Sequence, residues 1–204
     1  MASEIELRAR IAKDGFEELK AELDRSGFVA NQVRCFIDYS TFLEGIGNRK
    51  LDVRVRVTDS VPEFVVKSGE FGGAVREEAV ARIIPADLEG ALSVMALLGY
   101  EKGVAGGRRI CRGVIGEVEV ALQEVMDFQR PQEVVDRFVE VEYVGGSATT
   151  AEAEALLRKF LADRGISPFA VEEWNEFVKH LNEKWNGVYE HGVTEPDIIR
   201  ALGS

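Results

Sequence analysis

Several short stretches of this chain set charged residues two apart. Glu4, Glu6, Arg8 and Arg10 alternate with Ile5, Leu7, Ala9 and Ile11, and Arg54 and Arg56 alternate with Val53, Val55 and Val57. Glu140 and Glu142 alternate with Val139, Val141 and Tyr143, while Glu117, Glu119 and Gln123 oppose Val118, Val120 and Leu122. Arg76 and Glu78 share a parity in the same way. A period of two is that of a β-strand, whose side chains point to opposite faces in turn. Arginine presents a rigid fork of donors suited to phosphate or carboxylate oxygens. Carboxylates two apart on one strand face can jointly hold a hard divalent cation, which takes oxygen ligands and keeps several waters. The chemistry these patterns describe is a polyphosphate held by guanidinium groups with a metal held by acids beside it.

For a single strand, the ordinary meaning of such a pattern is a sheet with its charged face in water. The arrangement of signs argues otherwise here. Doubled arginines and doubled glutamates occupy separate strands, and serine and threonine are nearly absent from these positions. A polar interior lined this way requires an aliphatic exterior covered by helices.

The elements that could build such an interior are legible in order. Residues 14–28 form a short helix with Phe16, Leu19 and Leu23 on one face and Gly27 as a stop. Strands follow at 32–42, 51–57 and 63–68, separated by turn-forming residues, and a further strand at 74–84 follows the glycine turn 69–73. A helix is predicted at 85–100, with Asp87 as N-cap and Gly99 just past its end. Strands resume at 107–114, 116–125 and 135–144, for a count of about eight, enough to close a barrel that holds one small ligand. Two helices are predicted beyond Gly146: 150–165, capped by Thr150, and 167–187, with Ser167 as cap and Pro168 at its first position. The fold class is α+β, an eight-stranded antiparallel β-barrel with flanking helices and a C-terminal helical segment. Residues 1–146 form the barrel and 147–204 pack on it, within one structural domain.

With these elements in place, the charged residues carry a family resemblance. Glu4-x-Glu6-x-Arg8 resembles the ExExK signature of the CYTH domain, also called the triphosphate tunnel metalloenzyme fold. Asp38-Tyr39, Arg54-x-Arg56, Lys67 and Arg76-Glu77-Glu78 resemble its following segments in order. Arg109, VEVALQEV and Phe138-Val139-Glu140-Val141-Glu142 resemble its later ones, so that the likeness spans about residues 4–143. The resemblance implies a tunnel in which Arg8, Arg10, Arg54, Arg56, Lys67, Arg76 and Arg109 contact phosphate. It implies Mg2+ or Mn2+ held by Glu4, Glu6, Glu140 and Glu142, with Gln123 standing where the family has an aspartate ligand. Glu4, Glu6 and Arg8 then form the catalytic set, with Glu78 and Glu119 as supporting acids. Two positions depart from the pattern. Arg8 keeps the charge of the motif's lysine but cannot shed a proton near neutral pH, and Gln123 offers an amide oxygen without charge.

The resemblance implies a metal-dependent hydrolase of a triphosphate: inorganic tripolyphosphate, a nucleoside triphosphate or thiamine triphosphate. Family members also include class IV adenylyl cyclases, and the departures at Arg8 and Gln123 keep open a non-catalytic polyphosphate- or nucleotide-binding module.

Composition narrows the partners. Across 204 residues, 36 acidic against 25 basic groups give a net charge of -11, which argues against a duplex nucleic acid or an anionic membrane as partner. There is neither a basic leader with an apolar run nor a stretch long enough to span a bilayer, so a cytoplasmic location is expected. A homodimer is compatible with the sequence. Cys35 and Cys111 are read as reduced packing residues. The glycine-rich 69–73 lacks the lysine and the strand-to-helix context of a phosphate loop, and His180 and His191 lack metal-ligand spacing.

Overall fold

The computed structural model describes residues 2–27 and 29–194. Nine strands among them form one antiparallel sheet: β1 (Ala2–Arg10), β2 (Val29–Asp38), β3 (Leu51–Thr58), β4 (Val61–Ser68), β5 (Val75–Arg82), β6 (Lys102–Ile115), β7 (Val118–Met126), β8 (Val134–Tyr143) and β9 (Gly187–Glu190). They are ordered β2-β3-β4-β5-β1-β8-β7-β6-β9, and β2 also pairs with β6, which closes the first eight into a barrel with β9 added at the start of β6.

Alternation along the strands decides which side faces out. Leu7, Ala9, Val118, Val120, Leu122, Val139 and Val141 point outward into one buried cluster. Covering them are Phe16, Leu19 and Leu23 of α1 (Lys13–Ser26) and Leu157, Phe160 and Leu161 of α4 (Thr150–Ala162). A second outer cluster joins Ile37, Val53, Val55 and Val57 to Leu88, Leu92 and Met95 of α3 (Leu88–Leu97). Each buried aliphatic side chain of this kind is worth about 1.5–3 kcal/mol relative to exposure. The core of this molecule is therefore the layer between barrel and helices, which leaves the lumen free to be polar.

Local chemistry moves several boundaries from those the sequence predicts. The strand expected to reach residue 42 ends at Asp38, because its Oδ1 accepts the Ser40 amide at 3.1 Å and starts α2 (Ser40–Glu44). β6 begins at Lys102, five residues before the predicted 107, since its glycines allow close packing that a turn reading overlooks. At Gly106 an added Cβ would lie 2.7 Å from Phe36 Cζ and 2.6 Å from Asn186 Oδ1. Gly106→Ala is accordingly expected to lower the unfolding temperature by several degrees, checked by thermal unfolding followed by circular dichroism.

The helix ends show the same kind of correction. Gly99 follows α3 with φ 95°, as the C-terminal stop requires. Thr149, not Thr150, caps α4 in a reciprocal pair with Glu152. Ser167 and Pro168 do not start α5 (Val171–Lys184); residues 167–170 run alongside the barrel, where the Phe169 amide donates to Arg8 O at 2.8 Å. The helix also stops at Lys184, short of the predicted 187, because the chain leaves it to add β9. No helix among the described residues is long and apolar enough to cross a membrane.

Candidate functional site

The inward parity of the eight barrel strands carries charge, and position along the barrel axis sorts it. β1 runs from Glu4 and Glu6 at one end toward Arg8, and β8 runs from Phe138 through Glu140 to Glu142 in the opposite sense. Pairing sets Arg8 across from Glu140 and Glu6 across from Glu142. On the other wall Asp38 lies across from Arg54 and Phe36 from Arg56. The result is two neighbouring cavities that share part of their lining.

The first, about 90 Å³, is predominantly basic: Arg8, Arg34, Arg54, Arg56, Lys67, Arg76 and Arg108 line it, with Asp38, Asp52, Gln123 and Glu140 among them. Trp174, Val178, Leu181 and Asn182 of α5 line the same cavity, so this helix lies across one mouth of the barrel. Phe138 of β8 and Val125 near the end of β7 pack with Trp174, Phe177 and Leu181 to seat it there. The second cavity, about 160 Å³, is acidic, with Glu4, Glu6, Glu78, Glu119, Glu140 and Glu142 around Arg34, Arg56, Lys67 and Arg112. Arg34, Arg56, Lys67 and Glu140 belong to both.

Ion pairs hold most of these groups in place. Arg8 donates to Glu6 and, at 2.9 Å, to Glu140 Oε1, and its guanidinium lies 5.0 Å from the Trp174 ring. Burial pulls its pKa down, but Glu6 and Glu140 outweigh that and hold it above the ordinary arginine value. Arg8 is thus a fixed cation. Lys67 meets Glu4 at 2.6 Å and Glu78 at 2.8 Å. Its pKa is also raised, with Glu6 and Glu78 overcoming the effect of burial. Arg56 meets Glu63 at 2.9 Å.

Asp52 anchors the basic end. It accepts Arg54 Nε and Nη2, each at 2.7 Å, and Arg76 Nη1 at 3.1 Å, with Arg49 Nη1 3.7 Å away. Burial would raise its pKa, but Arg54, Arg49 and Arg76 hold it well below the usual carboxylate range. Beside it Asp38 is pushed upward by burial and by the Asp52 charge.

At the acidic end the balance is reversed. Burial first, then Glu4, Glu119 and Glu6, push Glu142 up from its ordinary 4.5 to about 7. Burial and the hydrogen bond with Glu78 raise Glu4 as well. Burial would also raise Glu140, but Arg8 and Lys67 draw it down to about 2. Among the described residues no three carboxylate, imidazole or thiol groups already stand as a formed metal centre. The donor chemistry nonetheless fits a hard divalent cation: carboxylates line a cavity with room for water, and at Glu142 and Glu4 burial and acidic neighbours favour the protonated form, as expected where negative charge lacks a counterion.

Of the residues singled out in the sequence, Glu4, Glu6, Glu78, Glu119, Glu140, Glu142, Arg8, Arg54, Arg56, Lys67, Arg76 and Gln123 all line the lumen. Two do not. Arg10 lies past the plugged end, where its side chain is 62% exposed and paired with Asp136. Arg109 points outward and donates to Pro131 O and Gln132 Oε1. Its neighbour Arg108, 8% exposed, takes the inward position. Gln123 donates Nε2 to Glu140 Oε2, so its amide is engaged with an acid. Sequence reasoning also passed over Arg34, Arg49, Asp52 and Arg112. Parity would have found two of them: Arg34 precedes Asp38 by four and Asp52 precedes Arg54 by two, whereas Arg112 shares the face of Arg108 and is hidden by the reading that turns Arg109 inward. Arg49 sits in a loop, where no period applies.

Comparison with solved structures adds the fold. A protein of Pyrococcus horikoshii OT3 matches with TM-score 0.63 and 19% identity over 87% of this chain and 98% of its own. A conserved hypothetical protein of Pyrococcus furiosus matches with TM-score 0.61 and 17% identity over 83% and 99%. A Bacillus halodurans protein provisionally named an adenylate cyclase matches with TM-score 0.57 and 16% identity over 83% and 95%. The likeness is one of fold. No family model and no curated protein matches the sequence.

Proposed function

We propose that this protein is a metal-dependent hydrolase of a small triphosphate bound inside the barrel. The observation that carries the reading is the lumen itself, in which a basic cavity and an acidic cavity with unbalanced charge are joined through shared residues. A polyphosphate with its divalent cation has the complementary order of charges. The resemblance of the charged motifs to triphosphate tunnel enzymes supports the same assignment.

In this reading Glu4, Glu6, Glu140 and Glu142 hold Mg2+ or Mn2+. The cation, when bound, neutralises phosphate charge and supports in-line attack on phosphorus. Arg54, Arg56, Arg76 and Lys67 orient the phosphate chain and stabilise charge that develops in the transition state. Arg8, held between Glu6 and Glu140, contributes a fixed positive charge and does not serve as a base. The α5 helix excludes water from the basic end.

The test is direct. Purified protein is incubated with tripolyphosphate, ATP or thiamine triphosphate in magnesium, manganese or chelator, and phosphate, pyrophosphate and cyclic AMP are measured. Metal-dependent phosphate release is the expected result. Cyclic AMP with equal pyrophosphate selects a cyclase instead, and tight tripolyphosphate binding with no turnover of any substrate leaves a binding module.

A further inference from the structure

The barrel closes where β2 meets β6, and that seam carries a charge conflict. Arg34 of β2 and Arg108 of β6 are direct cross-strand partners, and both line the basic cavity. Like charges directly opposed across an antiparallel pair are destabilising, and burial sharpens the penalty here because Arg108 is only 8% exposed.

Neither guanidinium has a carboxylate at ion-pair distance among the described residues. Arg34 gives Nε to Thr58 Oγ1 at 3.1 Å. Arg108 gives Nη1 to Gly107 O at 2.7 Å and lies 5.1 Å from the Phe36 ring. Most of the five N–H donors on each fork are left without a protein acceptor. The acid whose field both feel is Glu140, already engaged by Arg8 and Gln123. The other lumen cations differ: Arg8, Arg54, Arg56, Lys67, Arg76 and Arg112 each have a carboxylate partner. Burial, then Arg56 and Arg112, lower Arg34 to about 10. Burial, then Arg54, lower Arg108 to about 9.

We propose that Arg34 and Arg108 form an oxyanion clamp across the closing seam, a subsite for one phosphoryl or sulfate-like group that carries the charge the seam lacks. The proposal rests on the polyphosphate reading for the molecule to which that group belongs, and deepens it by naming the pair that receives it. The clamp makes ligand binding and barrel closure one event: the anion bridges two strands that otherwise repel.

Thermal unfolding of the full chain tests this, with wild type, Arg34→Met, Arg108→Met and, as a charge control on the exposed face of α4, Arg158→Met. Each is measured without anion and with sulfate, orthophosphate or tripolyphosphate at fixed ionic strength, and tripolyphosphate affinity is measured by calorimetry. Without anion the two seam variants are expected to melt above wild type. They are expected to lose most of the rise that tripolyphosphate gives wild type and the control, with affinity down on the order of tenfold to a hundredfold. If both seam variants keep that rise undiminished, the clamp is wrong and the polyphosphate reading stands. If wild type gains from sulfate or orthophosphate through these two residues and not from tripolyphosphate, the clamp stands and the polyphosphate reading falls. No gain from any anion removes both. Should a methionine variant fail to fold, Arg34→Lys and Arg108→Lys, which keep the charge and lose the fork, are read by the same criterion.

Discussion

Asp52→Asn is expected to destabilise the protein by about 3–5 kcal/mol, the usual cost of removing one partner from a buried ion pair. Asp52 is fully enclosed at the plugged end of the lumen, where its two oxygens take three hydrogen bonds from Arg54 and Arg76, with Arg49 close by. An amide of the same shape keeps an acceptor oxygen but turns an NH2 toward guanidinium donors. Arg49 and Arg54 would then share Asp38, at 2.6 Å and 3.5 Å, and Arg76 would lose its one carboxylate partner among the described residues. For a chain of this length the loss corresponds to a fall in unfolding temperature on the order of 10 °C. Urea denaturation checks it, and an unchanged midpoint would show that water or rearranged side chains satisfy the arginines. Because Arg54 and Arg76 also line the cavity, affinity for tripolyphosphate should fall in the same variant even at temperatures where it remains folded.

Glu142→Gln should act in the opposite direction on stability and should largely remove the effect of metal. A carboxyl whose pKa is higher in the folded chain than in the unfolded one holds more protons when folded, so stability declines as pH rises between those values. For Glu142 the window runs from its ordinary 4.5 to about 7. Metal-free wild type is therefore expected to lose stability across that interval and to recover it on addition of magnesium, which requires the ionised form. The glutamine variant, with no proton to lose, should show a flatter profile and melt above metal-free wild type at pH 8. Its metal-dependent turnover should fall on the order of a hundredfold, the scale seen when one electrostatic contact to a transition state is removed. A variant that melts no higher than wild type at pH 8, or that responds to magnesium as wild type does, would show that Glu142 does not carry the excess charge.

The two ends of the lumen illustrate how far a sequence of this kind can be read. Alternation in β1, β3 and β8 exposed the inward acids and bases because a period of two survives whatever the barrel's closure. Arg109 shows where that logic stops. Two adjacent arginines occupy opposite faces of β6, and resemblance favoured the second of them. Pairing with β2 brings the first inward, and no local pattern contains that information. The start of β6 was obscured for a related reason: glycines at 103, 106 and 107 look like a turn until their neighbours Ile37, Phe36 and Met126 are in view. Helix α5 is legible as a helix from its apolar stripe, but its role in lining the lumen depends on Trp174 reaching Arg8, 166 positions away along the chain and beyond any periodic signal.

The placement of α5 has a consequence for traffic. A barrel open at both mouths lets a reactant arrive on one side and its fragments depart on the other. Here one mouth is occupied by a helix seated on its own aromatic cluster. Under the proposed function, arrival and departure then share the acidic end, as in a pocket with a single door. A long polymer cannot thread such a lumen; it can only insert an end, and whatever is left deepest inside leaves last.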